Sequence, residues 1–229
     1  MLPSTNSRPI ITHDNPKSPI SEAYRSLRTN IQFSAIDEEI RTIMVTSAGP
    51  GEGKSTTITN LAVAYAQSDM HVVLIDADLR KPTMHHTFNL SNRIGLTNAL
   101  SSRGMVSDVI RETKIPNLSV ITSGPIPPNP SEMLASKRMG VLLEELKEQY
   151  DMILIDTPPA LAVTDAQIVA SKSDGVILVI DSGKVKREIA MKAKANLDYV
   201  KARILGVVLN NMNRKSSESY YYYYYGNKE

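Results

Sequence analysis

The segment Ala48-Gly49-Pro50-Gly51-Glu52-Gly53-Lys54-Ser55 constrains this chain more than any other. It lies between a short apolar, β-branched run, Thr42–Thr46, and a helix-forming stretch from about Lys54 to Gln67. Small, permissive residues there let successive backbone N–H groups wrap a phosphate, and the N-terminus of the following helix adds partial positive charge. The pattern matches the P-loop, with Ala48 in place of its first glycine. Gly49, Pro50, Gly51, Glu52, Gly53, Lys54 and Ser55 are therefore candidate nucleotide-binding residues. Lys54 is suited to reach the β- and γ-phosphates as a point charge, and Ser55 to offer a hydroxyl to Mg²⁺.

The rest of the chain repeats the same alternation. His71–Ile75, Leu118–Thr122, Met152–Ile155, Val176–Ile180 and Ile204–Leu209 read as further strands. Helices are expected over about Ser18–Ile36, with Ser21 as its cap, over Ser131–Gln149 and near Val185–Val200. The strands are continuous apolar runs, the mark of strands buried on both faces. Strand–helix alternation predicts an α/β fold with a doubly wound, mostly parallel sheet. We divide the chain into an N-terminal arm and helix (1–40), a P-loop domain (41–212) and a tail (213–229). Residues 1–17 are polar and Pro-containing and read as a loose arm. The tail has no core-forming pattern and contains six consecutive tyrosines, Tyr220–Tyr225.

Three carboxylates stand at strand ends: Asp76 and Asp78 after the second strand, and Asp156 after Met152–Ile155. In a doubly wound sheet the carboxyl ends of the strands form the ligand crevice. The P-loop leaves the same edge, so all three can face the same phosphates. Asp156 follows four apolar residues, as a Walker B carboxylate does, and would hold Mg²⁺ directly or through water. The last strand ends in Leu209-Asn210-Asn211-Met212 without an Asn-Lys-x-Asp guanine reader, so ATP is favoured over GTP. Asn210 or Asn211 can read an adenine edge, and equally can serve a turn.

Composition removes several alternatives. There is no Cys, which excludes disulfides, thiolate metal sites and a Cys nucleophile. A net charge of +2 demands no nucleic-acid partner, and none is expected. No apolar run approaches the ~20 residues that span a bilayer, and no signal peptide is visible, so a cytoplasmic location is expected. Glu22, Arg25 and Arg28 recur at helical spacing and form a mixed-charge stripe; a Glu22–Arg25 pair within the helix is one reading of it. His85-His86 has no partner at ligand spacing.

At this point the chain resembles a known family: the bacterial tyrosine kinases of capsule and exopolysaccharide synthesis, in particular the separate cytoplasmic kinase subunit of Firmicutes. Ala48-Gly49-Pro50-Gly51-Glu52-Gly53-Lys54-Ser55-Thr56 is similar to its Walker A motif, which adds Thr56 to the nucleotide contacts. Val72-Val73-Leu74-Ile75-Asp76-Ala77-Asp78-Leu79-Arg80-Lys81-Pro82 resembles its Walker A′, and Ile153-Leu154-Ile155-Asp156-Thr157-Pro158-Pro159 its Walker B. Ser123–Glu132, the Glu22–Arg28 segment and the tyrosine tail complete the likeness.

The resemblance implies ATP and Mg²⁺, with Asp76 accepting the proton of a tyrosine hydroxyl and Asp78 supporting the metal site. The division of roles between the two aspartates stays open. It further implies a ring homo-oligomer through Glu22, Arg25 and Arg28, and autophosphorylation at Tyr220, Tyr221, Tyr222, Tyr223, Tyr224 and Tyr225. Expected partners are the cytoplasmic tail of a transmembrane polysaccharide co-polymerase-like adaptor, which recruits the kinase to the membrane, a tyrosine phosphatase, and substrates such as sugar-nucleotide enzymes. The alternative is a MinD/ParA-like ATPase switch without kinase activity. Those relatives carry Lys where Gly49 stands and end in an amphipathic membrane helix rather than in tyrosines.

Overall fold

A computed structural model describes residues 9–34, 39–101 and 105–212. The tyrosine cluster lies outside the described residues. A seven-stranded sheet runs in the order β3-β4-β2-β5-β1-β6-β7. Its strands are β1 (Thr42–Ser47), β2 (Val72–Asp76), β3 (Ile110–Glu112), β4 (Leu118–Ile121), β5 (Met152–Asp156), β6 (Gly175–Asp181) and β7 (Ile204–Asn210). All pairings are parallel except β3 with β4. β1, β2, β5 and β6 are buried along their whole length, as their uninterrupted apolar runs require. The expected doubly wound sheet is therefore present.

Helices cover both faces. On one side α1 (Ile11–Asp14), α2 (Pro19–Phe33) and α3 (Lys54–Ala66) pack over Val45, Leu74, Leu154 and Val179. The other side carries the segments containing α5 (Leu96–Ser101), α7 (Lys137–Lys147), α8 (Asp165–Ala170) and α9 (Arg187–Tyr199), over Val73, Ile75, Ile153 and Val176. Two short helices, α4 (Met84–Phe88) and α6 (Pro130–Ala135), sit in the loops after β2 and β4. Among the described residues no helix is long and apolar enough to cross a membrane.

Several local expectations change. Of the loose arm, residues 9–17 are in place: Ile10 and Thr12 are buried, and the Thr12 N–H donates to Asn60 Oδ1 on α3 at 2.9 Å. The cap of α2 is Ser18, with Pro19 at the first helical position. Ser21 is instead buried and donates its hydroxyl to the Asn15 carbonyl at 2.7 Å. The helix expected over Ser131–Gln149 is two helices, because Ser136 leaves helical geometry and its Oγ caps α7 by accepting from Met139 N. The three-residue β3 carries no periodicity that a sequence reading could detect. β7 is an edge strand with Val207 and Leu209 half exposed, so its apolar run does not mean burial on both faces.

Candidate nucleotide and phosphoryl-transfer site

β1 delivers the chain to the carboxyl edge of the sheet, where residues 48–53 turn into α3. Gly51 and Gly53 have φ of +78° and +94°, a region that only glycine enters without strain. A Cβ on Gly53 would also stand 2.0 Å from Asn210 Nδ2. Asn210, at the end of β7, donates that amide to the Glu52 carbonyl at 3.0 Å and so braces the loop. Asn211 adopts positive φ and donates to Asp181 Oδ1, which is turn chemistry. Glu52 folds inward: its carboxylate accepts from the Gly49 N–H and, at 3.4 Å, from Asp181 N. Burial holds its pKa above the usual value in spite of those donors. Pro50, Gly51 and Thr56 are exposed, while Ser55 is buried.

The three carboxylates meet at this loop. In the β2–β5 ladder Asp76 stands directly opposite Asp156, so two like charges occupy adjacent strands at one level. Both are fully buried. Ser55 Oγ donates to Asp156 Oδ2 at 2.6 Å. Lys54 Nζ lies 3.2 Å from Asp78 Oδ2 and 3.6 Å from Asp156 Oδ1. Asp76 Oδ2 accepts from the Thr83 and Met84 N–H groups, each at 2.9 Å, which ties it to the start of α4.

The electrostatics follow from this crowding. Burial, reinforced by Asp156, pushes Asp76 up to about 7. Burial also raises Asp156, against the pull of Lys54 and Ser55. Burial opposes the Lys54 charge, but Asp156 and Asp78 outweigh it and raise its pKa, so the ammonium is retained.

Among the described residues no three His, Asp or Glu side chains form a cage able to hold a metal by themselves. A Mg²⁺ in a phosphoryl-transfer site does not need one, because water and phosphate oxygens fill most of its shell. The residues fit that arrangement. Asp156 Oδ1 is buried without a hydrogen-bond partner among the described residues, and the Ser55 hydroxyl lies against the same carboxylate.

The remaining sequence candidates are placed as follows. Glu22 and Arg25 pair within α2 at 2.7 Å, whereas Arg28 turns onto α3 and donates to the Ala64 carbonyl at 2.8 Å. His85 and His86 stack on one another, with ring centroids 3.9 Å apart. Of the tyrosines outside the tail, which the sequence did not offer as phosphate acceptors, Tyr65 is buried in α3, Tyr150 lies beyond the end of α7, and Tyr199 is exposed at the end of α9. A contact that the sequence did not foresee brings Arg80, from the Walker A′-like segment, and Ser131, from the Ser123–Glu132 stretch, onto Asp165. Its only local signal is an arginine shortly after a strand-end aspartate.

Comparison with known proteins agrees with this geometry. A family described as an AAA domain matches residues 40–202. Tyrosine-protein kinase YwqD of Bacillus subtilis (strain 168) is 50% identical over 207 residues, covering 90% of this chain and 87% of that protein. The crystal structure of the chimerical protein CapA2B2 superposes with a TM-score of 0.86 at 44% identity, covering 89% of each chain. The septum site-determining protein MinD of Pyrococcus horikoshii OT3, solved with Mg-ADP, is more distant. Its TM-score is 0.66 at 26% identity, covering 76% of this chain and 71% of that one. The fold is thus shared with a MinD-type ATPase, while the high identity over nearly the whole length lies elsewhere: the chain belongs to the bacterial tyrosine-protein kinases.

Proposed function

We propose that the chain uses Mg·ATP to phosphorylate tyrosine, both in its own Tyr220–Tyr225 cluster and in other proteins, and thereby regulates capsular or exopolysaccharide synthesis. The observation that carries this reading is the convergence of Lys54, Asp76, Asp78 and Asp156 on one phosphate loop, in a chain that also carries six consecutive tyrosines.

The backbone of residues 49–53 and Lys54 hold the triphosphate. Ser55, Asp156 and Asp78 are the residues that would hold Mg²⁺, whose charge offsets that building up on the transferring phosphoryl group. The tyrosine hydroxyl oxygen forms a bond to the γ-phosphorus as the bond to the bridging oxygen of ADP breaks. The ADP oxygen takes the electron pair, and Asp76 takes the phenolic proton. A free tyrosine hydroxyl has a pKa near 10, so an ordinary carboxylate is a weak base for it. Burial raises the Asp76 carboxyl well above the usual carboxylate range, which brings it closer to the phenol as a base. Glu52 and Asn210 act through the shape of the loop, since their polar groups are turned onto backbone atoms.

A blot for phosphotyrosine after incubation with ATP and Mg²⁺ tests the reading, beside a variant with all six tail tyrosines changed to Phe. Wild-type signal that disappears in the Phe variant supports it. ATP hydrolysis with no phosphotyrosine would replace it by the MinD-like switch.

The adaptor's cytoplasmic tail, the opposing tyrosine phosphatase and the sugar-nucleotide enzymes belong to the same proposal, as does a ring built through Glu22, Arg25 and Arg28. The support for the ring is the charged Glu22–Arg25 pair at the surface of α2, ahead of the catalytic domain, whereas Arg28 is turned onto α3. The Glu22–Arg25 pair is at the surface, and such a pair contributes at most about 1 kcal/mol. Changing both residues to Ala will therefore leave the fold intact, and light scattering will give a smaller particle than wild type. An unchanged mass would make the stripe an ordinary surface pair.

A further inference from the structure

Three loops leave the carboxyl edge of the sheet around the phosphate site, and a single buried carboxylate joins them. Asp165 opens α8, in the loop after β5, and is fully buried. Its Oδ2 accepts from Arg80 Nε at 2.9 Å and its Oδ1 from Arg80 Nη2 at 3.0 Å. Ser131, near the start of α6 after β4, donates its hydroxyl to Oδ1 at 2.7 Å and accepts from Arg80 Nη2 at 3.0 Å. Arg80 itself lies in the loop after β2, separated from Asp78 by the fully buried Leu79 alone.

A carboxylate taken wholly out of water must keep a cation beside it, so Asp165 fixes where Arg80 can be. Two parallel N–H···O bonds from a planar fork also fix how Arg80 is turned. The chain between Arg80 and Asp76 is then held at both ends. At one end Asp76 is the last residue of β2 and is bonded to the Thr83 and Met84 N–H groups. At the other end stands the Asp165 clamp. Asp78 lies between them with Lys81 N on its Oδ1 at 3.0 Å, and its Oδ2 faces Lys54.

We propose that Arg80 is a positioning residue for phosphoryl transfer: seated on Asp165 and Ser131, it holds the Asp76–Asp78 segment so that Asp78 meets Lys54 and Asp76 keeps its level beside Asp156. Arg80 needs to touch neither nucleotide nor tyrosine. A lysine cannot replace it, because an ammonium keeps the charge that Asp165 requires but loses the orientation imposed by the fork. The proposal rests on the kinase reading of the same site.

The test compares wild type with Arg80→Lys, Arg80→Gln and Ser131→Ala. It measures kcat for autophosphorylation per nucleotide-binding site, the Kd of a fluorescent ATP analogue with and without Mg²⁺, and Tm. A misplacement of about 1 Å can cost around a hundredfold in rate. Arg80→Lys is therefore expected to lose about tenfold or more in kcat while its Kd without Mg²⁺ stays within about twofold. The extra affinity conferred by Mg²⁺ should shrink, because Asp78 has moved. Ser131→Ala should shift the same quantities in the same direction, by less.

A lower Tm with unchanged kcat and unchanged Mg²⁺ effect in Arg80→Lys would make the clamp purely structural and overturn the proposal. A loss confined to Mg²⁺-free nucleotide affinity would overturn it equally. Should Arg80→Gln fail to fold, Arg80→Lys still decides, since it leaves Asp165 with a cation. Absence of phosphotyrosine in the wild type would count against the kinase reading itself, whereas active wild type with equally active variants counts only against Arg80.

Discussion

Asp76→Asn will lower tyrosine phosphorylation by about a hundredfold or more and, at pH 8, will make the nucleotide-free protein harder to unfold. The loss of rate follows from removing the proton acceptor at the site. The gain in stability follows from proton linkage. The folded-state pKa of Asp76 is about 7, against an ordinary value of 3.8. Between those values the folded protein binds a proton that the unfolded chain has released, so stability falls as pH rises through that window. Below it, both states are protonated and the carboxyl costs little.

An asparagine never ionises, so it escapes the cost at high pH and gains nothing at low pH. The expected Tm increase is on the order of 5 °C at pH 8, for a domain of this size and a shift of this kind, and it should narrow toward pH 5. A Tm difference independent of pH would show that the folded-state carboxyl is not raised. A variant that retains its rate would remove Asp76 from the chemistry.

Lys54→Met gives the opposite stability change with a similar loss of activity. Lys54 is the cation within 4 Å of both Asp78 and Asp156, and it is largely buried. Without it, three clustered carboxylates lose the cation that lies among them. The raised pKa of Lys54 keeps it charged through neutral pH, so wild type holds this compensation from pH 5 to pH 9. The variant should therefore be less stable than wild type at pH 8. It should recover part of the difference at pH 5, where the raised carboxyls of Asp76 and Asp156 take up protons.

Phosphotyrosine should disappear from the blot, and ATP affinity should fall by roughly tenfold or more, because the phosphate loop has lost its side-chain cation. Normal autophosphorylation would sink the assignment of the loop. The two variants thus separate stability from catalysis: both are inactive, one is stabilised and one is destabilised. A site that concentrates like charge for chemistry loses stability for it, and removing one of those charges returns some.

What the sequence could reveal was whatever lies within a few residues along the chain. The phosphate loop is eight consecutive residues whose backbone conformation depends on their own side chains, and Gly51 and Gly53 have the positive φ that such a loop requires. Strand type was legible for the same reason, since an uninterrupted apolar run such as Gly175–Asp181 suits a strand buried on both faces. Edges were not: β7 has the same kind of run at the edge of the sheet, but Val207 and Leu209, on one face, are left half exposed.

The site's chemistry was decided by contacts between distant segments. That Asp76 and Asp156 stand opposite one another is a matter of register between β2 and β5, strands 80 residues apart whose pairing no local pattern encodes. Burial at the centre of the sheet raises Asp76, and that register adds the charge of Asp156 to the effect. Arg80 and Asp165 are separated by 85 positions, and nothing along the chain links the arginine of the Walker A′-like segment to that loop aspartate. Only the packing of the loops after β2, β4 and β5 brings the exposed Arg80 onto Asp165, a carboxylate buried out of water that needs a cation beside it.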